Sequence, residues 1–405
     1  MLGITLLLAG IGLGAYAFFG YPLLLMVAGR LKRTPPPGAP TEGRDSPLPR
    51  ISITVPVFNE AHQLEDLLAS LVALEYPTEL RQILIVSDGS TDGSDDIVQG
   101  WADRGVQLLR VEQRGGKCAA ENSARPHLTG EIVVNTDASV RIHPRALLPL
   151  LRPFADPGVG LVSGRDVSVG HDEGDSNQGE AGYVGYEMWV RDLETAVGGI
   201  VGASGCFYAT RARLHAVEVP PELSRDFAAA LVALDHGLAA VSAPGALCSV
   251  PRTHSLRREY QRKVRTVARG MTTLWAWRHL LNPLAHPGTA WKLWSHKILR
   301  WALPLALLLV LAGSALLAPA HAWALALLAA GVAGIMVGGF GWIVAPRDET
   351  RSLPRLLAAP AFFLMSNVAV VHALGRALRG GSQSLWEPTR RTAAAPPAGE
   401  PASRG

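Results

Sequence analysis

Cysteine is scarce: Cys118, Cys206 and Cys248 are the three in 405 residues, and they stand far apart. Neither a metal-ligand spacing nor a disulfide framework follows from them. No internal repeat is present, which argues against a solenoid or propeller. Charge is missing altogether between Met1 and Arg30. A secretory signal would carry basic residues ahead of its apolar run, and here there are none. The stretch is long enough for a spanning helix, so residues 1–29 are expected to form a transmembrane anchor. The net charge is only +4, and much of it sits beside apolar runs. That pattern suits anionic lipid or a phosphate ligand better than nucleic acid, which is not expected as a partner.

Apolar residues make up 48% of the chain and gather at its two ends. Arg30, Lys32 and Arg33 follow the anchor, which by the positive-inside rule places that end in the cytoplasm. A Pro-rich linker occupies residues 30–50. Further apolar runs cover 301–319, 322–345 and 356–378. The first two read as a transmembrane hairpin (301–345), with Arg347, Arg351 and Arg355 in a cytoplasmic connection. The third contains Ser366, Asn367 and His372 and is interrupted by Pro360, so spanning and re-entrant placements both stand. Between Met271 and Trp301 fall five of the ten tryptophans, mixed with Arg278, Lys292, Lys297 and Arg300. Residues 271–300 are therefore expected to be interfacial helices. The tail, 379–405, is expected to be disordered from about residue 392, and its basic residues point to the cytoplasm. The whole describes a multi-pass protein of a bacterial-type inner membrane.

The body between the ends alternates strand and helix. Strands are expected at 51–55, 82–86, 106–111 and 131–134, with helices at 62–74, 92–104 and 116–127 between them. That spacing implies an α/β fold, a mainly parallel sheet with helices on both faces. Every strand then ends in polar residues along one edge: Pro56 to Glu60, Ser87 to Gly93, Gln113 to Lys117, and Thr136 to Ser139. Such an edge is where open α/β sheets bind ligands. None of these loops is a GxGxxG fingerprint or a Walker A loop, which excludes those two phosphate cradles. Asp137 reads equally well as a ligand group or as a turn cap. Asp92 reads as a cap of the helix after it. Gly115-Gly116-Lys117 at a helix start suits an anion.

The runs VPVFNE (55–60), SDGSTDGS (87–94), RGGKCAAEN (114–122), TDAS (136–139), GASGCFYATR (202–211), SRDF (224–227) and RKVRTVARG (262–270) together resemble the family 2 glycosyltransferases. The membrane-associated branch of cellulose, hyaluronan and poly-N-acetylglucosamine synthases is the most similar. The resemblance implies a GT-A fold over 51–270, in the cytoplasm. It also implies a nucleotide-sugar donor (a UDP-sugar), a divalent metal (Mg2+ or Mn2+), and inversion at the anomeric carbon. By the same resemblance Pro56, Asn59, Glu60, Asp88, Arg114, Lys117, Asp137, Arg262 and Arg265 bind the donor. Asp137 with Ser139 forms the metal site, Ser204, Gly205 and Cys206 line the acceptor site, and Asp226 is the general base. Ser139 stands where many members have a second acid. Arg225 would lower the pKa of Asp226 where the two side chains approach. Two bland alternatives stay open: a glycine-rich buried turn at 204–206, and lipid-facing charges at Arg262 and Arg265.

Processive members carry Gln-x-x-Arg-Trp where this chain has Arg262-Lys263-Val264-Arg265-Thr266. Without that tryptophan the stacking platform for a growing glycan is missing, unless Trp189 or Trp275 replaces it. The expected activity is therefore non-processive transfer to a lipid-linked or polysaccharide acceptor at the membrane. A processive synthase and a non-catalytic nucleotide- or polysaccharide-binding partner are the rival readings.

Overall fold

The structure, a computed structural model, describes residues 1–39, 47–169, 178–251, 255–346 and 353–380. Part of the linker, Arg347 and Arg351, and the tail beyond residue 380 lie outside the described residues. Eight strands form one sheet: β1 (Ile51–Val57), β2 (Arg81–Asp88), β3 (Val106–Val111), β4 (Ile132–Thr136), β5 (Arg141–Ile142), β6 (Val159–Val169), β7 (Phe207–Arg211) and β8 (Ala239–Pro251). Their spatial order is β3-β2-β1-β4-β7-β6-β8-β5.

β1 and β4 are buried at every position, as central strands covered on both faces are, and both are rich in β-branched residues. Pro56 is tolerated inside β1 because pairing with β4 ends at Thr54↔Asn135, so its missing N–H breaks no ladder bond on that side. The first four strands are parallel. The chain runs outward through β2 and β3, then returns across β1 to β4. The loops after β1 and β4 thus diverge in opposite directions, and a crevice opens between them.

The second half departs from a simple parallel wind. β7 is antiparallel to both β4 and β6, β6 and β8 are parallel, and β5 pairs antiparallel with β8. The sheet is mixed. Because Thr136 pairs with Phe207, the start of β7 lies at the carboxyl end of β4. Residues 202–206 are carried to the crevice by that reversal alone.

The helices expected at 92–104 and 116–127 are shorter than their periodicity suggests. They run Ser94–Gln99 and Lys117–Ala124, each followed by a 3-10 turn. Glycine at 105, with φ +81°, closes the former.

Three helices are long and apolar enough to cross a membrane, Leu2–Leu31, Ala322–Val344 and Leu356–Leu378. A fourth candidate is a bent pair, Pro287–Trp301 and Leu303–Leu317, broken by 58°. The order of security seen in the sequence is thus reversed. The third C-terminal run is one helix with Pro360 inside it, whereas Leu303–Leu317 alone is only 15 residues long. Pro360, the sixth residue of Arg355–Leu378, forgoes one i→i−4 bond, to Leu356, without ending the helix.

Of the five clustered tryptophans, only Trp275 and Trp294 are strongly exposed. Trp291 donates to Tyr16 Oη (3.0 Å) and packs edge-on against Tyr21, so it fixes the N-terminal helix instead of facing lipid headgroups. The N-terminal helix also packs on Leu303–Leu317 at near backbone contact. A Cβ on Gly313 would lie 2.6 Å from Leu7 N, and one on Gly10 2.6 Å from Ala306 O. Small residues are what permit this approach between apolar helices. Gly313→Val is expected to cost about 1–3 kcal/mol by overpacking and to abolish a Gly3→Cys/Leu317→Cys crosslink. A crosslink that forms equally in the Gly313→Val background would show that the two helices do not depend on this contact.

Candidate functional site

The loops at the crevice are tied to one another before any ligand is considered. Asp88, buried at the end of β2, accepts from Gly115 N (2.8 Å) and Gly116 N (2.7 Å). Its carboxylate is spent on shaping the Arg114-Gly115-Gly116-Lys117 turn. Asn59 takes a left-handed conformation, φ 54°, and its Oδ1 accepts from Thr91 N (2.8 Å), joining the loops after β1 and β2. Asp92 caps two helices, accepting from Ala61 N (3.0 Å) and Ser94 N (3.1 Å). Pro56 is buried within β1, and Arg114 lies 3.7 Å over the Phe58 ring. Glu60 is buried and accepts from Gln63 Nε2.

Lys117, the first residue of its helix, points across the crevice. Its ammonium donates to Asp137 Oδ1 and to the carbonyl of Gly205 (3.1 Å). Burial pulls its pKa down, but Asp137 and Glu121 outweigh that, and the net direction is up. The Asp137 turn is itself held by Arg141 on β5, which donates to Ala138 O (2.8 Å), Val140 O (3.1 Å) and Gln63 O (3.1 Å).

A cavity of about 280 Å3 opens here, walled by Glu60, Lys117, Asp137, Ser139, Gly205, Cys206 and Asp226, with Arg262, Arg265, Thr266 and Arg269 over it. Arg262 is a bidentate partner of the buried Glu259, at 2.8 Å twice. Pro56, Asn59, Asp88 and Arg114 are not in this wall.

Among the described residues no three His, Cys, Asp or Glu side chains cluster as a metal site. Asp137 and Ser139 offer one carboxylate and one hydroxyl. That set fits a hard cation held jointly with ligand phosphates and water, and does not fit a cage of protein groups alone.

Asp226 lies in the first turn of the helix Arg225–Asp235. Its Oδ1 accepts from Ser224 Oγ (2.7 Å), and its Oδ2 would be 3.2 Å from a Cβ on residue 205. Glycine at 205 is therefore what lets the carboxylate stand against this segment. Arg225 turns away from Asp226: successive helix residues point in different directions, and the Arg225 guanidinium is buried among Glu121 (3.2 Å), His215 O (3.0 Å) and Val217 O (3.4 Å).

Several residues escaped sequence reading. Asp166 on β6 accepts from Ser204 Oγ (2.6 Å), and burial pushes its pKa up. Glu121 is fully buried, which raises its pKa despite Lys117 and Arg225. Arg269 lines the cavity and donates to Pro221 O (3.0 Å) and Leu223 O. A charged residue inside a buried strand was the available signal for Asp166; Glu121 had none.

A second, larger cavity of about 660 Å3 shares Asp166, Gly205, Ser224, Asp226 and Thr266 with the first. It runs toward Phe18, Leu303, Phe362, Phe363 and Val370 of the apolar helices. Ser204 lines this second space. Trp189 and Trp275 line neither cavity, whereas Trp301 lines the larger one.

The buried Arg225–Glu121 pair sits directly behind the Lys117–Asp137 contact. Arg225→Met should lower stability by about 3–5 kcal/mol by stranding a carboxylate, with much of the loss recovered in Arg225→Met/Glu121→Leu. Thermal unfolding of the four-member cycle measures it, and strict additivity would contradict the pairing.

Residues 52–211 match the family described as Glycosyl transferase family 2. The chain is 31% identical over 158 residues to a beta-monoglucosyldiacylglycerol synthase of Nostoc sp., covering 38% of this chain and 34% of that one. It is 27% identical over 121 residues to an undecaprenyl-phosphate 4-deoxy-4-formamido-L-arabinose transferase of Salmonella choleraesuis, covering 29% of this chain and 37% of that one. The matched segment thus spans roughly a third of each relative's length. The mannosyltransferase PcManGT of Pyrobaculum calidifontis, solved in complex with GDP-Man and Mn2+, superposes with a TM-score of 0.69 at 24% identity, covering 93% of this chain and 99% of that one. The fold is GT-A-like.

Proposed function

We propose that this chain, with its family 2 domain at residues 52–211, is an inverting glycosyltransferase. It moves one or a few sugars from a nucleotide-sugar donor to a lipid or cell-envelope acceptor. The observation that carries the reading is the meeting of two cavities of different character at Asp226: one polar and rich in arginine, the other running among apolar helices. A donor diphosphate matches the first through Lys117, Arg262, Arg265 and Arg269, and an amphiphilic acceptor matches the second. The names of the relatives, which refer to a diacylglycerol and an undecaprenyl phosphate, agree with a lipid acceptor.

The reaction is a single displacement. The acceptor oxygen bonds to the anomeric carbon as the bond to the diphosphate oxygen breaks with its electron pair. The acceptor proton passes to Asp226, whose Oδ2 is the oxygen turned toward Gly205. Lys117 and the arginines balance the charge that develops on the leaving diphosphate. A divalent cation, Mg2+ or Mn2+, would share Asp137 with that diphosphate and neutralise it further. Pro56, Asn59, Glu60, Asp88 and Arg114 shape or line the base and ribose side of a UDP-sugar site. Ser204, Gly205 and Cys206 form the acceptor wall. The apolar helices belong to a multi-pass membrane protein with the family 2 domain on the cytoplasmic side.

Thr266 at the junction of the cavities supports the non-processive reading, since a hydroxyl-bearing stub offers no ring for a sugar face. Trp301 favours the rival, a polymer synthase of the cellulose or hyaluronan branch. Sizing the products made by purified enzyme from one nucleotide sugar separates the two, and a long homopolymer would overturn the first.

Asp226→Asn is expected to lower transfer by two orders of magnitude or more, about 10^2–10^4-fold, while nucleotide binding holds. Near-normal turnover would remove Asp226 from this role. For the metal, Asp137→Ala should weaken donor binding in Mn2+ and leave little difference between Mn2+ and chelator. Ser139→Asp should bind the donor with Mn2+ at least as tightly as the parent. Full activity of Asp137→Ala after chelation would defeat the metal-site reading.

A further inference from the structure

We propose that Arg191 and Lys297 form an anion subsite for the acceptor, which is therefore a lipid with a hydroxyl-bearing, negatively charged headgroup. This deepens the transfer reading and rests on it for the identity of the reacting hydroxyl.

Arg191 belongs to the helix Gln178–Ala196 and lines the larger cavity. It is 7% exposed, yet its Nε and Nη1 have no hydrogen-bond partner among the described residues. Its Nη2 donates to Ala203 O at 3.3 Å. The carboxylate nearest in the ion pairs, Glu187, stands 3.9 Å away from Nε. Lys297 reaches the same space, with Nζ 3.8 Å from Glu187 and 3.2 Å from where a Cβ on residue 202 would be. Glycine there leaves the ammonium its place.

Glu187 cannot satisfy both cations. Its Oε1 is bonded to His296 Nε2 at 2.7 Å and its Oε2 to Arg300 Nη1 at 2.6 Å. His296 is in turn held by Glu194 at 2.7 Å. Asp166 and Asp226 are the other carboxylates of this wall. Asp166 lies near enough to Arg191 to feel its charge, but its Oδ1 accepts from Ser204 Oγ and burial still holds its pKa up. A buried guanidinium with two unbonded N–H edges is costly to maintain unless an anion completes it. Guanidinium and ammonium together are the usual partners of a phosphate.

The placement also fixes the ligand's shape. Arg191 and Lys297 meet the chain at Ala203 and Gly202, and Asp226 meets it at Gly205. Three residues of extended chain span at most about 10 Å. An acceptor hydroxyl at Asp226 and an anion at Arg191 thus lie along one short segment, a span that a polyol headgroup of about 10 Å or less can bridge. Beyond the cations, Phe362, Phe363 and Val370 offer an apolar wall suited to acyl chains. A neutral diacylglycerol would leave Arg191 unpaired. A phosphate as nucleophile would face the Asp226 carboxylate.

The test uses the full chain in detergent with three probes: dihexanoyl phosphatidylglycerol, dihexanoylglycerol and inorganic phosphate. Binding is read by thermal shift and phosphorus NMR. The phosphatidylglycerol probe should bind at least about tenfold more tightly than the neutral one, with inorganic phosphate not saturating in the same range. Arg191→Gln/Lys297→Gln should remove that preference, Arg191→Lys should restore part of it, and nucleoside diphosphate binding should persist in all of them as the control for folding. Equal binding of the two lipids, or insensitivity to the double substitution, overturns the subsite. Saturable inorganic phosphate with the same sensitivity overturns the lipid assignment. If the anionic lipid binds as expected but no nucleotide sugar is bound or consumed, the transfer reading fails and the anion subsite stands.

Discussion

The Lys117 ammonium joins three parts of the chain that the sequence separates widely. It is carried by the helix after β3, it donates to Asp137 past β4, and it donates to the Gly205 carbonyl ahead of β7. Behind it the buried Glu121 and Arg225 continue the alternation of charge, so each ion has an opposite neighbour out of water. Everything in the polar cavity takes its place from this chain of pairs. Remove the ammonium, and Asp137, Glu121 and Asp226 are left close together with less opposite charge between them, an arrangement that like charges oppose. Any charged ligand entering the cavity would have to renegotiate that balance, and with it the Lys117 contact to the Gly205 carbonyl.

The apolar helices are part of the same construction. Helix Leu256–Ala276 carries Arg262, Arg265 and Arg269 on one side, and its Leu256 packs with Ala358, Ala361 and Met365 of the last helix. On the far side the N-terminal helix is fastened by Tyr21 to Glu194 and by Tyr16 to Ser295. The sheet domain therefore does not hang from a tether. The larger cavity is walled partly by residues of the domain and partly by Phe18 and Phe362 of the helices, so its apolar side exists only when both are assembled.

Much of the polar site was legible beforehand because strand-end loops in a parallel wind share one edge by topology. Asp137, Lys117 and Glu60 reach the cavity wall in this way, and Asp226, expected from the resemblance alone, joins them from the start of a helix. Side-chain direction was not legible. Arg225 follows Ser224 and precedes Asp226, yet its side chain turns inward to Glu121, since neighbouring helix positions diverge by about 100°. Asp88, read as a ligand group, also clamps the Gly115-Gly116 turn. Trp291 and Trp301, read as headgroup anchors, also pack against Tyr21 and into an apolar cluster.

The sequence by itself determined the alternation of strand and helix, the polar edge, and the apolar ends, because each rests on periodicity or composition within a short window. Only the tertiary structure decided which partners the charges take. The antiparallel return of β7 brings Gly205 to Asp137, and the bend between Pro287–Trp301 and Leu303–Leu317 accompanies Lys297 at the cavity. Those contacts join residues dozens to hundreds of positions apart. Electrostatic and hydrogen-bond energies depend on distance and burial, and neither is written in the order of residues along a chain.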